Sequence, residues 1–167
     1  MDDSDDGAYS RPPTLEDVAR IGRALNQAKA RYVLIGGFAV IIHGSGRTTK
    51  DIDFLIDPSP QNVARIKSAL SVLPDNAAAE LADDDVEKYQ VVRIADEVVI
   101  DLLARACGVL YDDAASGAEH RDIGGEQILV ADKQTLIRTK QTIRPADHMD
   151  CEYLASRIAE ENRDPSP

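Results

Sequence analysis

The chain has 167 residues, of which 43% are apolar and 29% are charged, and this combination predicts one domain large enough to bury a core. Asp and Glu number 30 against 19 Lys and Arg, a formal net charge of −11 that argues against a broad surface for nucleic acid or anionic membrane. The acidic start of the chain does not resemble a secretory signal, no apolar run approaches the about 20 residues needed to cross a bilayer, and the two cysteines lack metal-binding spacing, so we expect a cytoplasmic protein with reduced thiols.

The organisation predicted from composition is a single domain with short irregular ends. Residues 1–13 contain four Asp in the first six positions and predict a disordered acidic tail, residues 14–162 the domain, and residues 163–167 a frayed C-terminus. Thr14 has the side chain of a helix cap, and apolar residues at helical spacing after it predict a helix that ends near Ala30.

Several short elements are predicted close together between residues 32 and 57. Tyr32–Ile35 predicts a short buried strand, ended by a turn at Gly36-Gly37, and Phe38–Ile42 predicts a short buried helix. Asp51–Ile56 alternates polar and apolar residues at its start and predicts a second strand. A helix over 60–72 is predicted after it.

The second half of the chain continues the alternation of strands and helices. The predicted elements are a short helix within the loop 74–87, a hairpin of strands 89–94 and 98–103, a helix over 109–118, two short strands within 119–130, a helix over 133–143 and a last helix that starts at Pro145. The fold class predicted is α/β (α+β), with a small mixed β-sheet flanked by helices and with helices at the C-terminal end.

Three aspartates form the candidate catalytic centre. Asp51 and Asp53 project from the same face of a strand, and two carboxylates held together need a cation, a proton or a charge partner. Asp101 interrupts an apolar strand, where a carboxylate is costly unless it is paired or binds a metal. Oxygen ligands on rigid elements suit a hard cation, so these residues predict a site for one or two Mg²⁺ ions. The alternative for Asp101 is an ion pair with Arg93 or Arg105.

Glycines and cations surround this centre in the sequence. Gly36 and Gly37 permit close approach of the backbone to an anion, although such a pair is more often a simple turn. The segment 47–50, Arg-Thr-Thr-Lys, supplies two cations and two hydroxyls directly before the acids. The predicted helix 133–143 gives a basic face that suits a polyphosphate, or else a solvated face; its residues are Lys133, Ile137, Lys140 and Arg144.

Other reactive residues receive ordinary explanations. The Asp-x-Asp pairs at 3–5 and 83–85 are expected to be solvated, as is common in so acidic a chain. We expect His43 to end a helix rather than to bind a metal, and Cys107 to be a small buried residue rather than a nucleophile.

The run IGGFAVIIHGSGRTTKDIDFLI, with Asp101 in a later strand, resembles the DNA polymerase beta-like nucleotidyltransferase superfamily. Within it, the sequence is most similar to small bacterial nucleotidyltransferase-like proteins, including the AbiEii-type toxins of type IV toxin–antitoxin systems. The resemblance is specific over residues 32–57, good at Asp101 and looser over residues 132–154. In that last segment a Lys…Arg-x-x-Asp-x-x-Asp pattern is echoed by Lys140, Arg144, Asp147 and Asp150, the two acids being weaker candidates.

The resemblance implies a magnesium-dependent transfer of NMP from an NTP. In it, Gly36 and Gly37 would hold the triphosphate, and Asp51 and Asp53 would ligate Mg²⁺. Asp101 would complete the metal site and act as, or position, the base for the acceptor hydroxyl.

The same resemblance assigns the surrounding polar residues to the nucleotide. Arg47, Lys140 and Arg144 would neutralise phosphate charge as pyrophosphate leaves, and Thr48 or Thr49 would orient the nucleotide. The implied partners are an NTP, an acceptor that is RNA, a protein or a small molecule, and a cognate antitoxin or other protein. The alternative reading is a non-catalytic module that keeps the fold and binds a nucleotide or a partner, such as a toxin–antitoxin component.

Overall fold

A six-stranded mixed β-sheet forms the centre of the fold in the computed structural model, which describes residues 10–163. The strands are β1 (Tyr32–Ile35), β2 (Asp51–Ile56), β3 (Val91–Ala95), β4 (Val99–Leu103), β5 (Arg105–Ala106), β6 (Val109–Leu110), β7 (Glu119–Ile123) and β8 (Glu126–Val130). The helices are α1 (Leu15–Gln27), α2 (Gly36–Ile42), α3 (Pro60–Leu70), α4 (Asp85–Tyr89), α5 (Tyr111–Gly117), α6 (Lys133–Thr139) and α7 (Pro145–Arg163), with a 3-10 turn at Ala77–Glu80.

The order of strands in the sheet is β3-β4-β2-β1-β8-β7. The pairs β2–β4 and β1–β8 are parallel, and the other three pairs are antiparallel. Helix α1 packs against α3, β7 and β8, whereas α2 contacts β1, β2 and α6, and α6 packs on α7. The predicted fold class, a small mixed sheet flanked by helices, is confirmed.

Local sequence signals predicted the order of helices and strands in the first half of the chain correctly. Thr14 caps α1 through a hydrogen bond from the Asp17 N–H, and the Asp17 carboxylate accepts one in return. The glycine pair differs from the prediction, because it forms the first residues of α2 rather than a separate turn. Gly36 has φ of +74°, which lets the chain pass from β1 directly into the helix.

Three boundaries in the second half were predicted wrongly. Residues 105–110 form the hairpin β5–β6, so the helix expected over 109–118 begins only at Tyr111. Tyr89, expected in a strand, is the last residue of α4. The helix expected over 133–143 ends at Thr139.

The predicted tail is anchored over its last four residues. Arg11 donates hydrogen bonds to both carboxylate oxygens of Asp17, at 2.7 Å each, and to Glu97 at 2.5 Å. Ser10 donates to the carbonyl of Asp96 at 2.7 Å. The tail prediction for residues 1–9 and the fraying predicted for 164–167 lie outside the described residues.

The hydrophobic core lies between the sheet and its helices. Strands β1, β2 and β4 lie at its centre, since nearly all of their apolar residues are buried. Across residues 10–163, no helix has the length and apolar character needed to cross a membrane.

Candidate active site

The register of four strands places one functional row across the sheet. Asp53 on β2 is the direct partner of Asp101 on the parallel strand β4. Arg93 on β3 is opposite Asp101, and Ile35 at the end of β1 is opposite Asp53. Residues that are 48 positions apart in the chain therefore stand side by side because of strand pairing alone.

The three predicted acids, Asp51, Asp53 and Asp101, meet in this row, and we call them the acid row. One carboxylate oxygen from each of Asp51, Asp53 and Asp101 lies within 4.8 Å of the other two. Arg93 donates to Asp101 from Nε at 2.9 Å and from Nη2 at 3.1 Å, and Nη2 also reaches Oδ2 of Asp51 at 3.2 Å. The ion pair weighed in the sequence as an alternative for Asp101 thus exists together with the acid cluster.

Burial and the neighbouring charges raise the pKa of two of these acids, Asp51 and Asp53. Burial raises the pKa of Asp51, and the neighbouring charge of Asp101 adds to the effect. Burial raises the pKa of Asp53 well above its ordinary value, and the charges of Asp51 and Asp101 raise it further. A cation bound among them would relieve both effects, because it favours the charged carboxylates.

The glycine pair makes room for polar side chains of the site. A β-carbon at Gly36 would stand 2.1 Å from Oδ2 of Asp53, and one at Gly37 would stand 2.7 Å from Cβ and Oγ1 of Thr49. Both distances are shorter than real β-carbon contacts, so only glycine fits without displacing its neighbour. The two positions therefore let the helix N-terminus approach the acid row and the loop 47–50.

A buried lysine lines the same cleft as the acid row and pairs with two further acids. Lys140 follows α6, is only 6% exposed, and its Nζ lies 3.0 Å from Asp150 and 3.6 Å from Asp147. Arg47 reaches the same oxygen of Asp150, and Arg144 pairs with Asp147 at 2.9 Å. Cations predicted from two separate segments are thus assembled on two acids of the first turns of α7.

Asp147 and Asp150 have a larger role than the sequence suggested. Both are nearly fully buried, at 3% and 5% exposure. Burial works against charging Asp147, but hydrogen bonds from Arg144 and from Thr142 outweigh it and hold the pKa of this carboxyl below its ordinary value. The pair holds the cations of the site, and its i, i+3 spacing early in the last helix was the available signal.

One cleft with two arms contains these residues. Both arms include Gly36, Asp51, Asp53, Lys140 and Arg144. The basic arm, with a cavity volume of about 520 Å³, continues to Gly37 and the loop 47–50, which includes the predicted Thr48 and Thr49. The second arm, of about 320 Å³, continues past Asp101 and Arg93 to Val91, Leu103 and Ala106, and we call it the apolar arm after these last three residues.

Several residues lie elsewhere than predicted. Lys133 pairs with Glu161 on α7 and does not line either arm, and the early end of α6 removes the predicted basic helical face. Cys107 is exposed in the β5–β6 turn and lines the apolar arm, so its predicted burial is wrong. His43 ends α2 as expected, and its Nε2 bonds the Ala131 carbonyl at 2.9 Å.

The donor set fits a hard divalent cation. Three carboxylates on two adjacent strands, within reach of one ion, are the oxygen ligands that Mg²⁺ takes, and the cleft beside them leaves space for phosphate oxygens. Arg93 already pairs with Asp51 and Asp101, so a bound ion would have to share these two carboxylates with it.

Comparisons with known proteins identify the family of this chain. A family model described as nucleotidyl transferase AbiEii toxin, type IV toxin–antitoxin system, matches residues 21–114, more than half of the chain. The matched segment contains the acid row and Arg93 and ends before Lys140. No curated protein sequence matches the chain.

A solved structure shares the fold. The lincosamide antibiotic adenylyltransferase LnuA, crystallised with lincomycin bound, superposes with a TM-score of 0.55 over 87% of this chain and 99% of its own. The two sequences are 14% identical over the match, so the likeness concerns the fold. With the family model matched over both central strands of the site, the resemblance expected from the sequence is confirmed, and the chain belongs to the AbiEii family of nucleotidyl transferase toxins.

Proposed function

We propose that the protein transfers a nucleoside monophosphate from an NTP to the hydroxyl of an acceptor, and that Mg²⁺ assists the transfer. The observation that carries this proposal is the position of Asp51, Asp53 and Asp101 at the junction of a basic arm and an apolar arm. A junction of this kind brings a polyphosphate and a second substrate to the same carboxylates. The family supports the reaction class, and the residues that line the cleft support the roles we assign to them.

The basic arm is the place for the triphosphate. Arg47, Lys140 and Arg144 supply three positive charges, and the Thr48 and Thr49 hydroxyls supply polar contacts that suit phosphate or ribose oxygens. Each of these cations is already held by a carboxylate, so the arm is organised before a ligand arrives. Such preorganisation favours charge stabilisation during the reaction, because little rearrangement is needed.

Gly36 and Gly37 line this arm beside the acids. Asp53 and Thr49 fill the space above the two glycines, so what the pair offers to an anion is the backbone N–H groups that open α2, which have no partner within the helix. We assign them to the β- and γ-phosphates, which leave together as pyrophosphate.

The apolar arm is the place for the acceptor. An in-line displacement needs the attacking oxygen on the side of the α-phosphorus opposite to the leaving pyrophosphate. Asp101 belongs to this arm and not to the basic one. The acceptor oxygen forms the new bond to phosphorus, the bond to the β-phosphate oxygen breaks, and Asp101 receives or orients the proton of the hydroxyl.

Mg²⁺ held by Asp51, Asp53 and Asp101 would offset the charge of the phosphate oxygens and help to align them. Lys140 and Arg144 would stabilise the charge that develops on the leaving pyrophosphate, and Arg47 would hold its far end. Positioning and electrostatics account for the catalysis proposed here, since none of these steps needs a covalent intermediate.

The test of the proposed function is designed to identify the acceptor. The wild-type protein is incubated with α-labelled NTPs, Mg²⁺ and, separately, total RNA, total protein and a small-molecule extract that includes hydroxylated antibiotics such as the ligand of the LnuA structure. Asp53→Ala is the active-site variant, and Asp84→Ala, at an exposed position outside both arms, is the matched control. We expect label in one fraction, lost only with Asp53→Ala.

A non-catalytic module is the second candidate, because Arg93 pairs with two of the three acids and every cation named for the basic arm has an acidic partner. Such a module would bind an NTP without transfer to any fraction, and its partner would be a protein such as an antitoxin. Transfer of label by the wild type in any fraction would exclude this alternative.

A further inference from the structure

Arg93 occupies a position that the proposed reaction does not assign. Its guanidinium makes two hydrogen bonds to Asp101 and a third to Asp51, at 2.9, 3.1 and 3.2 Å. The Arg93 side chain is 21% exposed, and that of Asp101 is 10% exposed. This is a charge-assisted contact with both oxygens of one proposed ligand and one oxygen of another.

A fixed positive charge at this place acts against a second cation. The guanidinium touches Asp51 and Asp101, so an ion bound to the same carboxylates would lie within a few ångströms of it. If this Asp51 oxygen coordinated an ion, its hydrogen bond with Arg93 would also be weakened. Both effects lower the affinity of the acid row for a divalent ion that arrives alone.

The triphosphate changes this balance. A bound NTP adds three or more negative charges beside the row, which attract the ion and offset its repulsion by Arg93. The contacts to Asp101 come from a planar fork that spans both oxygens, so Arg93 can release Asp51 and still hold Asp101 in place.

We propose that Arg93 is a positioning residue that acts as a resident counter-cation: it keeps the acid row from holding a divalent ion tightly until the NTP binds, so that metal and nucleotide load together. This inference rests on the proposed function, because it requires that the row bind a metal ion. It assigns to Arg93 the coupling between the two ligands, a role separate from the chemistry of transfer.

The test measures Mn²⁺ binding by the loss of the free-ion EPR signal, with and without an NTP analogue whose α,β-bridge is a methylene. The Mn²⁺ that the analogue binds without protein is measured separately and subtracted, so that only the ion bound to the protein is compared. Arg93→Gln removes the charge, and Arg93→Met removes it while keeping the volume of the stem, in case the first variant folds poorly. Arg93→Lys keeps the charge. Arg65→Gln, on α3 near the end of the sheet opposite to the site, is a matched loss of one surface charge.

Both neutral variants are expected to bind Mn²⁺ at least about fivefold more tightly than the wild type without the analogue, as the removal of a nearby like charge predicts. With the analogue the difference is expected to fall below about twofold, so the coupling between the ligands weakens. Arg93→Lys and Arg65→Gln are expected to stay close to the wild type.

Two different failures can be told apart. If the wild type binds Mn²⁺ and the neutral variants bind it equally or more weakly, Arg93 does not act as a counter-cation and the inference is wrong, while the metal site stands. If Asp53→Asn binds Mn²⁺ as well as the wild type, or if no variant binds it with or without the analogue, the metal site itself is wrong, and the role of Arg93 with it.

Discussion

Gly36 and Asp53 are in direct contact, and a β-carbon at Gly36 would stand 2.1 Å from Oδ2 of the aspartate. Gly36 also has φ of +74°, a conformation that costs an alanine about 1 kcal/mol. We therefore expect Gly36→Ala to displace the Asp53 carboxylate, to lower the free energy of unfolding by about 2 kcal/mol, and to reduce transfer at least about a hundredfold. Urea denaturation and the label-transfer assay measure the two effects.

Gly46→Ala is the control for that substitution. Gly46 belongs to the same chain segment, but a β-carbon there meets nothing within 4 Å and its φ is not positive. We expect it to change stability by less than about 0.5 kcal/mol. A wild-type level of transfer in Gly36→Ala would mean that the position of Asp53 does not limit the reaction.

Lys140 is the second position with a sharp expectation. It is 6% exposed between Asp147 and Asp150, and breaking a buried ion pair by removing one partner typically costs about 3–5 kcal/mol. Because Arg47 and Arg144 still neutralise the two acids, we expect Lys140→Met to lower the free energy of unfolding by about 2–3 kcal/mol. We also expect it to weaken binding of the NTP analogue at least about tenfold.

A double variant separates the two roles of this lysine. Lys140→Met with Asp150→Asn also removes the carboxylate that lost its buried partner and leaves Arg47 to be solvated at its part-exposed position, so we expect it to recover about half of the lost stability but none of the lost NTP affinity. Recovery of affinity together with stability would show that Lys140 contributes only to folding.

The stretch from β1 to β2 could be predicted because its signals are local. The glycine pair, the apolar runs and the alternation at Asp51–Ile56 lie within a few residues of the structure they specify. The partnership of Asp53 with Asp101 followed from two strand predictions and the cost of an acid in an apolar run. These are the elements that the family model also matches.

The end of α6 could not be predicted, because its cause is tertiary. The helical spacing of apolar and basic residues continues to Arg144, but Lys140 leaves the helix to reach Asp147 and Asp150 on α7. The Thr142 hydroxyl donates to Asp147 at 2.6 Å and stabilises the turn that follows. No local stop signal precedes these contacts in the sequence.

The sequence could not decide which arginine pairs with Asp101, because this too depends on tertiary structure. The sequence offered Arg93 and Arg105 as alternative partners of Asp101, and only the register of β3 with β4 distinguishes them. Arg105 instead begins the short strand β5, in a hairpin whose second strand, Val109–Leu110, fell within the helix predicted over 109–118.

The pH dependence of stability has a clear sign at Asp17. Hydrogen bonds from Arg11 lower the pKa of this carboxyl to about 2 against the effect of its burial, with further bonds from Thr14. A lowered pKa adds stability above the ordinary value of 3.8, and this contribution is lost as the pH falls through about 2. We expect Asp17→Asn to lose about 1 kcal/mol at pH 7, after allowance for solvent screening of the ion pair.

Urea denaturation at several pH values between 7 and 2 checks this expectation. The difference between Asp17→Asn and the wild type should shrink steadily below pH 4. Asp84→Asn is the control, because Asp84 is exposed and its side chain does not cap α4. A difference that stays constant down to pH 2 would mean that packing, and not charge, explains the effect of Asp17→Asn.

The two arms of the cleft give the last prediction. Lys50 lines only the basic arm and Val91 only the apolar arm, where it is 50% exposed on the edge strand β3. We expect Lys50→Gln to weaken binding of a fluorescent NTP analogue about threefold to tenfold, through the loss of one phosphate contact. Val91→Glu is tolerated at its exposed position and should leave that affinity within about twofold, yet reduce label transfer at least about tenfold, because a carboxylate would face the acceptor. If Val91→Glu weakened NTP binding as strongly as Lys50→Gln, the nucleotide would extend into the apolar arm, and the acceptor would have to enter the cleft from another side.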